Sequence, residues 1–307
     1  MRTDLSTHVG SVPFPNPVMT ASGTAGHGVE LAAYGALSGL GAVVVKSLCV
    51  EPWPGNPAPR VHEATAGMLN SVGLQGPGVE RWLADDLPAL RATGARVVVS
   101  IWGRRVEDYA KATALLAGIE GICAVEVNVS CPNIEDRSRM FAHSASATAE
   151  VVDATAGCGL PRWAKLSPNV ADLVEIASAA LGAGAETLTL VNTLLGLAID
   201  TETRRPVLGA TGGGLSGPAV HPVAVRAVFE CRAAHPDAGI VGVGGVMNGR
   251  DAVELLLAGA DAVQVGTATF VDPKAPWKVL SSIDRWCRRH SVGSVRELVG
   301  GAHGQLR

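Results

Sequence analysis

The chemistry in this sequence gathers where short β-branched runs end. PVMTASG closes on Ala21, Ser22 and Gly23, and AVVVKSL carries Lys46 and Ser47. AVEVNVSC holds Asn128 and Cys131 and runs on to Asn133, RWAKLSP holds Lys165, and TLTLVNT ends on Asn192 and Thr193. GIVGVGG and AVQVGTAT reach Gly244–Gly245 and Gly266–Thr267. Bare glycine backbone lets N–H groups come close to an anion, so these last two runs suit a phosphate. A lysine in an apolar run either neutralises a buried carboxylate or faces a ligand, and two lysines at matching run ends favour a shared ligand. A phosphate-anchored group held between two cations suggests a flavin, because a cation near N1 and O2 stabilises the anionic reduced ring; Lys165 is placed to supply it. A sugar phosphate would satisfy the same residues on composition alone.

Something must bring these run ends together. Eight runs read as strands, at 17–23, 42–48, 96–103, 124–131, 162–168, 187–193, 239–245 and 262–269. Nearly continuous apolar strands alternating with Ala/Leu-rich stretches of helical period indicate a parallel sheet covered on both faces. Helices are expected at 172–181, which opens on Asp172, and at 249–257, which stops before Gly259. Eight strand–helix units predict the α/β class and a closed (β/α)8 TIM barrel, a fold that carries its chemistry at the C-terminal ends of its strands. Two connections exceed what a barrel requires: a proline-rich one at 50–78 and a Gly/Thr-rich one at 196–222. Loops of that length in a compact domain are usually functional. With no repeat, charge block or linker, residues 1–307 are expected to form one domain.

Composition narrows the function classes. Apolar residues make up 47% and charged residues 17%, which supports a large core, and a net charge of −3 gives no basic footprint for nucleic acid or anionic lipid. The apolar runs are too short to span a bilayer, and the start, with Arg2, Asp4 and His8, does not read as a signal peptide. A cytoplasmic location is expected. Six scattered cysteines with no C-x-x-C pair predict neither a disulfide framework nor a zinc or iron–sulfur site, and no metal is expected.

Several motifs, in order, now point one way. ASG (21–23), KS (46–47), NSVGLQGPG (70–78), NVSCPN (128–133), KLSPN (165–169), NTLLG (192–196), GGLSGPA (213–219) and GTA (266–268) strongly resemble the class 1 dihydroorotate dehydrogenases. LQGPGVE and NTLLGLAID are most similar to the class 1B branch. The resemblance implies FMN as cofactor and oxidation of dihydroorotate to orotate in pyrimidine biosynthesis. It assigns Cys131 as the base at C5, with FMN taking hydride from C6 and Lys46 assisting the cysteine. Substrate would be held by Lys46, Asn70, Gly73, Leu74, Asn128, Asn133, Asn192 and Thr193. Cofactor would be held by Ala21, Ser22, Lys46, Ser47, Ser100, Asn128, Lys165, Val191, Ser216, Gly217, Gly244, Gly245, Gly266 and Thr267. A homodimer, and a separate electron-transfer subunit carrying FAD and an iron–sulfur cluster, are also implied. The branch with serine at the base position and a membrane-associating extension is not the one resembled.

Three positions depart from the family pattern. The segment 134–144, IEDRSRMFAHS, is charged and lacks glycine where the family's mobile loop is glycine-rich, which predicts a stiffer or differently folded loop. Ser100 stands where an asparagine usually contacts FMN, and Gly76 where asparagine is usual. These departures keep open an FMN-dependent dehydrogenase or reductase of another dihydropyrimidine or cyclic ene-carbonyl. A flavin-binding subunit that has lost catalysis is disfavoured by the presence of Cys131 and both lysines.

Overall fold

The computed structural model describes residues 3–131 and 140–305. Eight parallel strands form the central sheet: β1 (Val18–Thr20), β2 (Val43–Val44), β3 (Val97–Ile101), β4 (Ile122–Asn128), β5 (Arg162–Lys165), β6 (Thr187–Leu190), β7 (Gly239–Val243) and β8 (Ala262–Val265). Their hydrogen-bonded order is β1-β8-β7-β6-β5-β4-β3-β2. A parallel bridge between Met19 and Ala42 joins β1 to β2 and completes the ring. This is the expected (β/α)8 barrel, and each strand lies within its expected run except β4, which begins two residues earlier, at Ile122.

Local chemistry explains the flanking helices. Leu173–Gly182 starts where the Asp172 side chain accepts from the Glu175 backbone N–H at 3.0 Å. Gly249–Ala258 starts with a reciprocal cap between Asn248 and Asp251 and ends at Gly259. The first unit differs from the expected helix-bearing pattern. Between β1 and β2 lie only short 3₁₀ turns, Glu30–Ala33 and Leu37–Gly39. Gly26, Gly28, Gly35, Gly39 and Gly41 fall in that stretch, and each glycine costs a helix interior roughly 1 kcal/mol relative to alanine.

Period-two alternation along the strands sorts the barrel interior into layers. The lower layer is apolar and includes Met19, Val44, Val98, Ala124, Trp163, Val241 and Ala262. An N-terminal hairpin, Thr7–Val9 paired with Val12–Phe14, closes the floor, and Phe14 meets Trp163 edge-on at 6.0 Å. Two residues further along four of these strands the layer turns polar, with Ser100, Glu126, Lys165 and Gln264 buried. Trp163 is fully buried between plug and barrel. Trp163→Ala is expected to lower the unfolding free energy by about 3–5 kcal/mol, the usual cost of emptying an aromatic core site, measured by urea denaturation.

The two long connections do not stay loops. Segment 61–70 folds into a hairpin of Val61–Ala64 and Gly67–Asn70, and 194–216 contributes Leu194–Gly196 and Gly213–Ser216. The two insertions pair with each other: Asn70 lies opposite Gly214, and Met68 opposite Ser216. The result is a four-stranded antiparallel sheet across the C-terminal mouth of the barrel.

Candidate active site

Between that roof and the strand ends lies a cavity of about 300 Å³. It gathers nearly every residue singled out by sequence. One end is built from glycine-rich turns: Gly244 and Gly245 after β7, Gly266 and Thr267 after β8, and Ser216 and Gly217 from the roof. Thr267 donates its hydroxyl to Ser216 Oγ at 2.8 Å, tying two of these turns together. Gly245 has φ +65°, and a Cβ there would stand 2.6 Å from the His221 Cβ and 3.0 Å from the Gly217 carbonyl. Gly217, at φ +99°, would press a Cβ to 2.8 Å from Gly67 Cα. A side chain at either place would collide with the neighbouring turn, so both close approaches require glycine. The helix His221–Ala234 also begins at this end.

The other end is amide-rich. Asn128, carried by β4, donates to Ser47 Oγ at 3.4 Å and accepts from Asn192 Nδ2 at 3.2 Å. Asn70 donates to the Gly214 carbonyl at 3.3 Å, which sets it on the roof strand facing the cavity. Gly73, Leu74, Asn192 and Thr193 complete this wall, while Ala21, Ser22, Ser47 and Val191 line the strand ends. Ser22 and Ser47 hydroxyls lie 3.1 Å apart.

Among the described residues, Lys46 and Lys165 are the only charged side chains lining the cavity. Burial, foremost, brings the Lys46 ammonium down to about 8; negative charge on Cys131 pulls it up and the Lys165 cation pushes it further down. Lys165 turns out to satisfy both alternatives weighed for it. It lines the cavity, and its Nζ donates to Glu126 Oε1 at 3.2 Å.

Two predicted residues are placed behind the wall. Ser100 is fully buried and reaches the cavity only through Ser47, 2.9 Å away hydroxyl to hydroxyl. Serine is shorter than the asparagine expected to touch a ligand there. Cys131 is also fully buried, and its thiol points to the Asn128 carbonyl at 3.4 Å. Burial pushes that thiol up to about 12; a hydrogen bond with Tyr109 and the Lys46 cation lower it only in part. Asn133 and residues 134–139 of the charged segment lie outside the described residues. Residues 140–144 fold back onto the barrel, with Phe141 buried and set edge-on to Tyr109 at 5.7 Å.

Three residues were missed. Ser71 and Ser130 line the cavity with buried hydroxyls that have no hydrogen-bond partner among the described residues. Such groups are costly unless a ligand satisfies them. Both lie inside the quoted motifs, NSVGLQGPG and NVSCPN, and that position was the available signal. Asn169 is the third. It donates to the Thr193 carbonyl at 2.9 Å and accepts from Leu195 N–H at 2.9 Å, holding the Asn192–Thr193 corner.

Glycine-rich turns at one end, an amide-rich wall at the other and two lysines thus share one cavity at the C-terminal mouth of a (β/α)8 barrel, where enzymes of this fold carry their chemistry. The family model for dihydroorotate dehydrogenase matches residues 4–286, and the chain belongs to that family of oxidoreductases. It is 45% identical over 300 residues to the catalytic subunit of dihydroorotate dehydrogenase B (NAD(+)) from a Geobacter species, covering 97% of this chain and 98% of that one. The same subunit from Desulforudis audaxviator is 47% identical over 304 residues, covering 99% of each chain. That from Desulforamulus reducens is 46% identical over 305 residues, covering 99% of this chain and 100% of the relative. No helix among the described residues is long and apolar enough to cross a membrane.

Proposed function

We propose that this chain oxidises dihydroorotate to orotate in pyrimidine biosynthesis, with FMN held between the glycine cradle and Lys165. The observation that carries the reading is one cavity joining an anion cradle at one end to Asn70, Asn128, Asn192 and Lys46 at the other. The donor set fits the cofactor: backbone at Gly244, Gly245, Gly266 and Thr267 for the phosphate, and the Lys165 ammonium for the ring edge. Bound there, FMN supplies a two-electron acceptor for the hydride at C6 of the substrate.

The chain's own residues do the rest. Asparagine amides offer both donors and acceptors, which suits the two amide edges of a dihydropyrimidine. Lys46 meets the single carboxylate, together with backbone at Gly73 and Leu74. Cys131 as thiolate takes the C5 proton while the C6 hydrogen leaves with its electron pair, so the C5–C6 double bond forms as both are lost. For this the thiol must leave the Asn128 carbonyl and face the cavity. Ser100 acts at one remove, fixing the Ser47 hydroxyl against the cofactor. The relatives are named as catalytic subunits of an NAD(+) enzyme; by extension, a separate subunit carrying FAD and an iron–sulfur cluster would pass the electrons to NAD, and the chain would act as a homodimer.

Anaerobic titration tests this reading. The purified protein is expected to be yellow and to bleach within seconds of adding dihydroorotate. A yellow protein left unchanged would move the substrate to another dihydropyrimidine, and a colourless one that takes up no FMN would overturn the reading.

A further inference from the structure

The polar layer under the cavity contains a carboxylate that the mechanism above does not use. Glu126 is fully buried on β4, between the apolar floor and the cavity, and does not line the cavity itself. Both of its oxygens are engaged. Oε1 accepts from Lys165 Nζ at 3.2 Å and Oε2 accepts from Gln264 Nε2 at 2.8 Å. Gln264, on β8, is likewise fully buried, and its Oε1 has no partner among the described residues. A carboxylate without solvent is costly, and truncating one member of such a pair leaves an uncompensated charge. The arrangement therefore fixes where the Lys165 ammonium sits and how much positive charge it presents upward.

The other lysine is treated differently. No ion pair is found for Lys46 among the described residues, so its charge is uncompensated toward the cavity, whereas that of Lys165 is opposed from below. From this asymmetry we infer that Glu126 is a positioning residue that acts through Lys165, tempering the cation at the cavity floor and thereby setting how readily the bound flavin accepts electrons. Gln264 holds the carboxylate in register from the opposite side of the barrel. The inference rests on the reading of the cavity as an FMN site. Its physical basis is that a reduced flavin anion gains from a nearby cation, and that the gain shrinks when a buried anion stands beside the cation.

Glu126→Gln is the informative change because it removes the charge and keeps the shape. The introduced amide can still accept from Lys165, and Gln264 can rotate so that its free Oε1 accepts from the new N–H. The midpoint potential of the FMN-loaded protein is read by equilibration with a reference dye, and FMN content is measured alongside. In Glu126→Gln the equilibrium for flavin reduction is expected to shift about tenfold toward the reduced form, the scale of one pKa unit of differential interaction. Lys165→Met is expected to shift it the opposite way. The double variant, which leaves no unpaired buried charge and folds even where a single variant fails, is expected to lie between the two. An unchanged potential in Glu126→Gln with FMN fully bound would overturn the inference and leave Glu126 as a structural ion-pair partner. Single variants that shift the potential in the same direction would overturn it equally. A wild-type protein that takes up no FMN would instead bring down the parent reading, and this inference with it.

Discussion

Cys131→Ala is expected to keep its FMN and its fold and to lose dihydroorotate oxidation by about 10²–10⁴-fold, the range that a positioned acid or base contributes. The change removes one small buried side chain, so the visible spectrum and the melting temperature should stay close to wild type. Near-normal turnover would withdraw the base from Cys131. The pH profile adds a second check. With the thiol raised to about 12 by burial, it is protonated at neutral pH, and the thiolate fraction grows with each step toward alkali. The turnover number should therefore rise with pH through the neutral range. Lys46, lowered to about 8, loses its proton in the same window, so KM for a carboxylate substrate should rise above about pH 8. A turnover number that falls as pH rises from 6 to 8 would contradict the assignment of a cysteine base.

Lys46→Ala carries the second large effect. A hydrogen bond to a charged group is worth about 1.5–3 kcal/mol, and leaving a carboxylate against a buried, uncompensated wall costs more. Binding of orotate should weaken by roughly 30-fold or more, while uracil, which lacks the carboxylate, should weaken by less than about threefold. Equilibrium titration of both ligands against the FMN-loaded variant gives the ratio directly. Equal weakening would remove the reason for preferring a carboxylated pyrimidine, and FMN content in the same samples reports any loss at the cofactor side.

Much of the site was legible because a barrel converts sequence into position by a simple rule. Residues at strand ends meet at one face, so Lys46, Asn128, Lys165, Asn192, Gly244 and Gly266 could be grouped before their contacts were known. Strand interiors alternate inward and outward, and the same rule would have placed Glu126 (AVEVN) and Gln264 (AVQVG) inside the ring beside Lys165. The signal lies in comparing strands, since a single polar residue in an apolar run says nothing of what faces it across the barrel. What sequence could not reveal is pairing between distant segments. The roof depends on the register of Asn70 with Gly214 and Met68 with Ser216, and neither stretch reads as a strand alone. Seen singly, each was a long Gly- or Pro-rich loop. The plug hairpin escaped for a related reason, since its strands are three residues each and gain stability only from the barrel they close. Ser100 was read from family pattern as a direct contact, and only the distance to Ser47 shows it standing one hydroxyl back.

The roof also has a consequence for how the molecule comes into being. Its central pairing joins residues 68–70 to 214–216, across more than a hundred residues of intervening chain. Contacts so far apart in sequence must wait for most of the polypeptide, and they slow folding because the loop must be closed before the pairing repays it. The anion cradle is later still, drawing on Gly244, Gly245, Gly266 and Thr267. During synthesis the half that carries Lys46, Asn128 and Cys131 therefore emerges without a ceiling and without the glycine turns proposed to hold FMN. A ligand that binds only the finished ring adds its binding free energy to the stability of the whole ring. On the proposed reading of the cavity as an FMN site, cofactor supply would then help determine how much of this protein survives to maturity, quite apart from how fast it turns over.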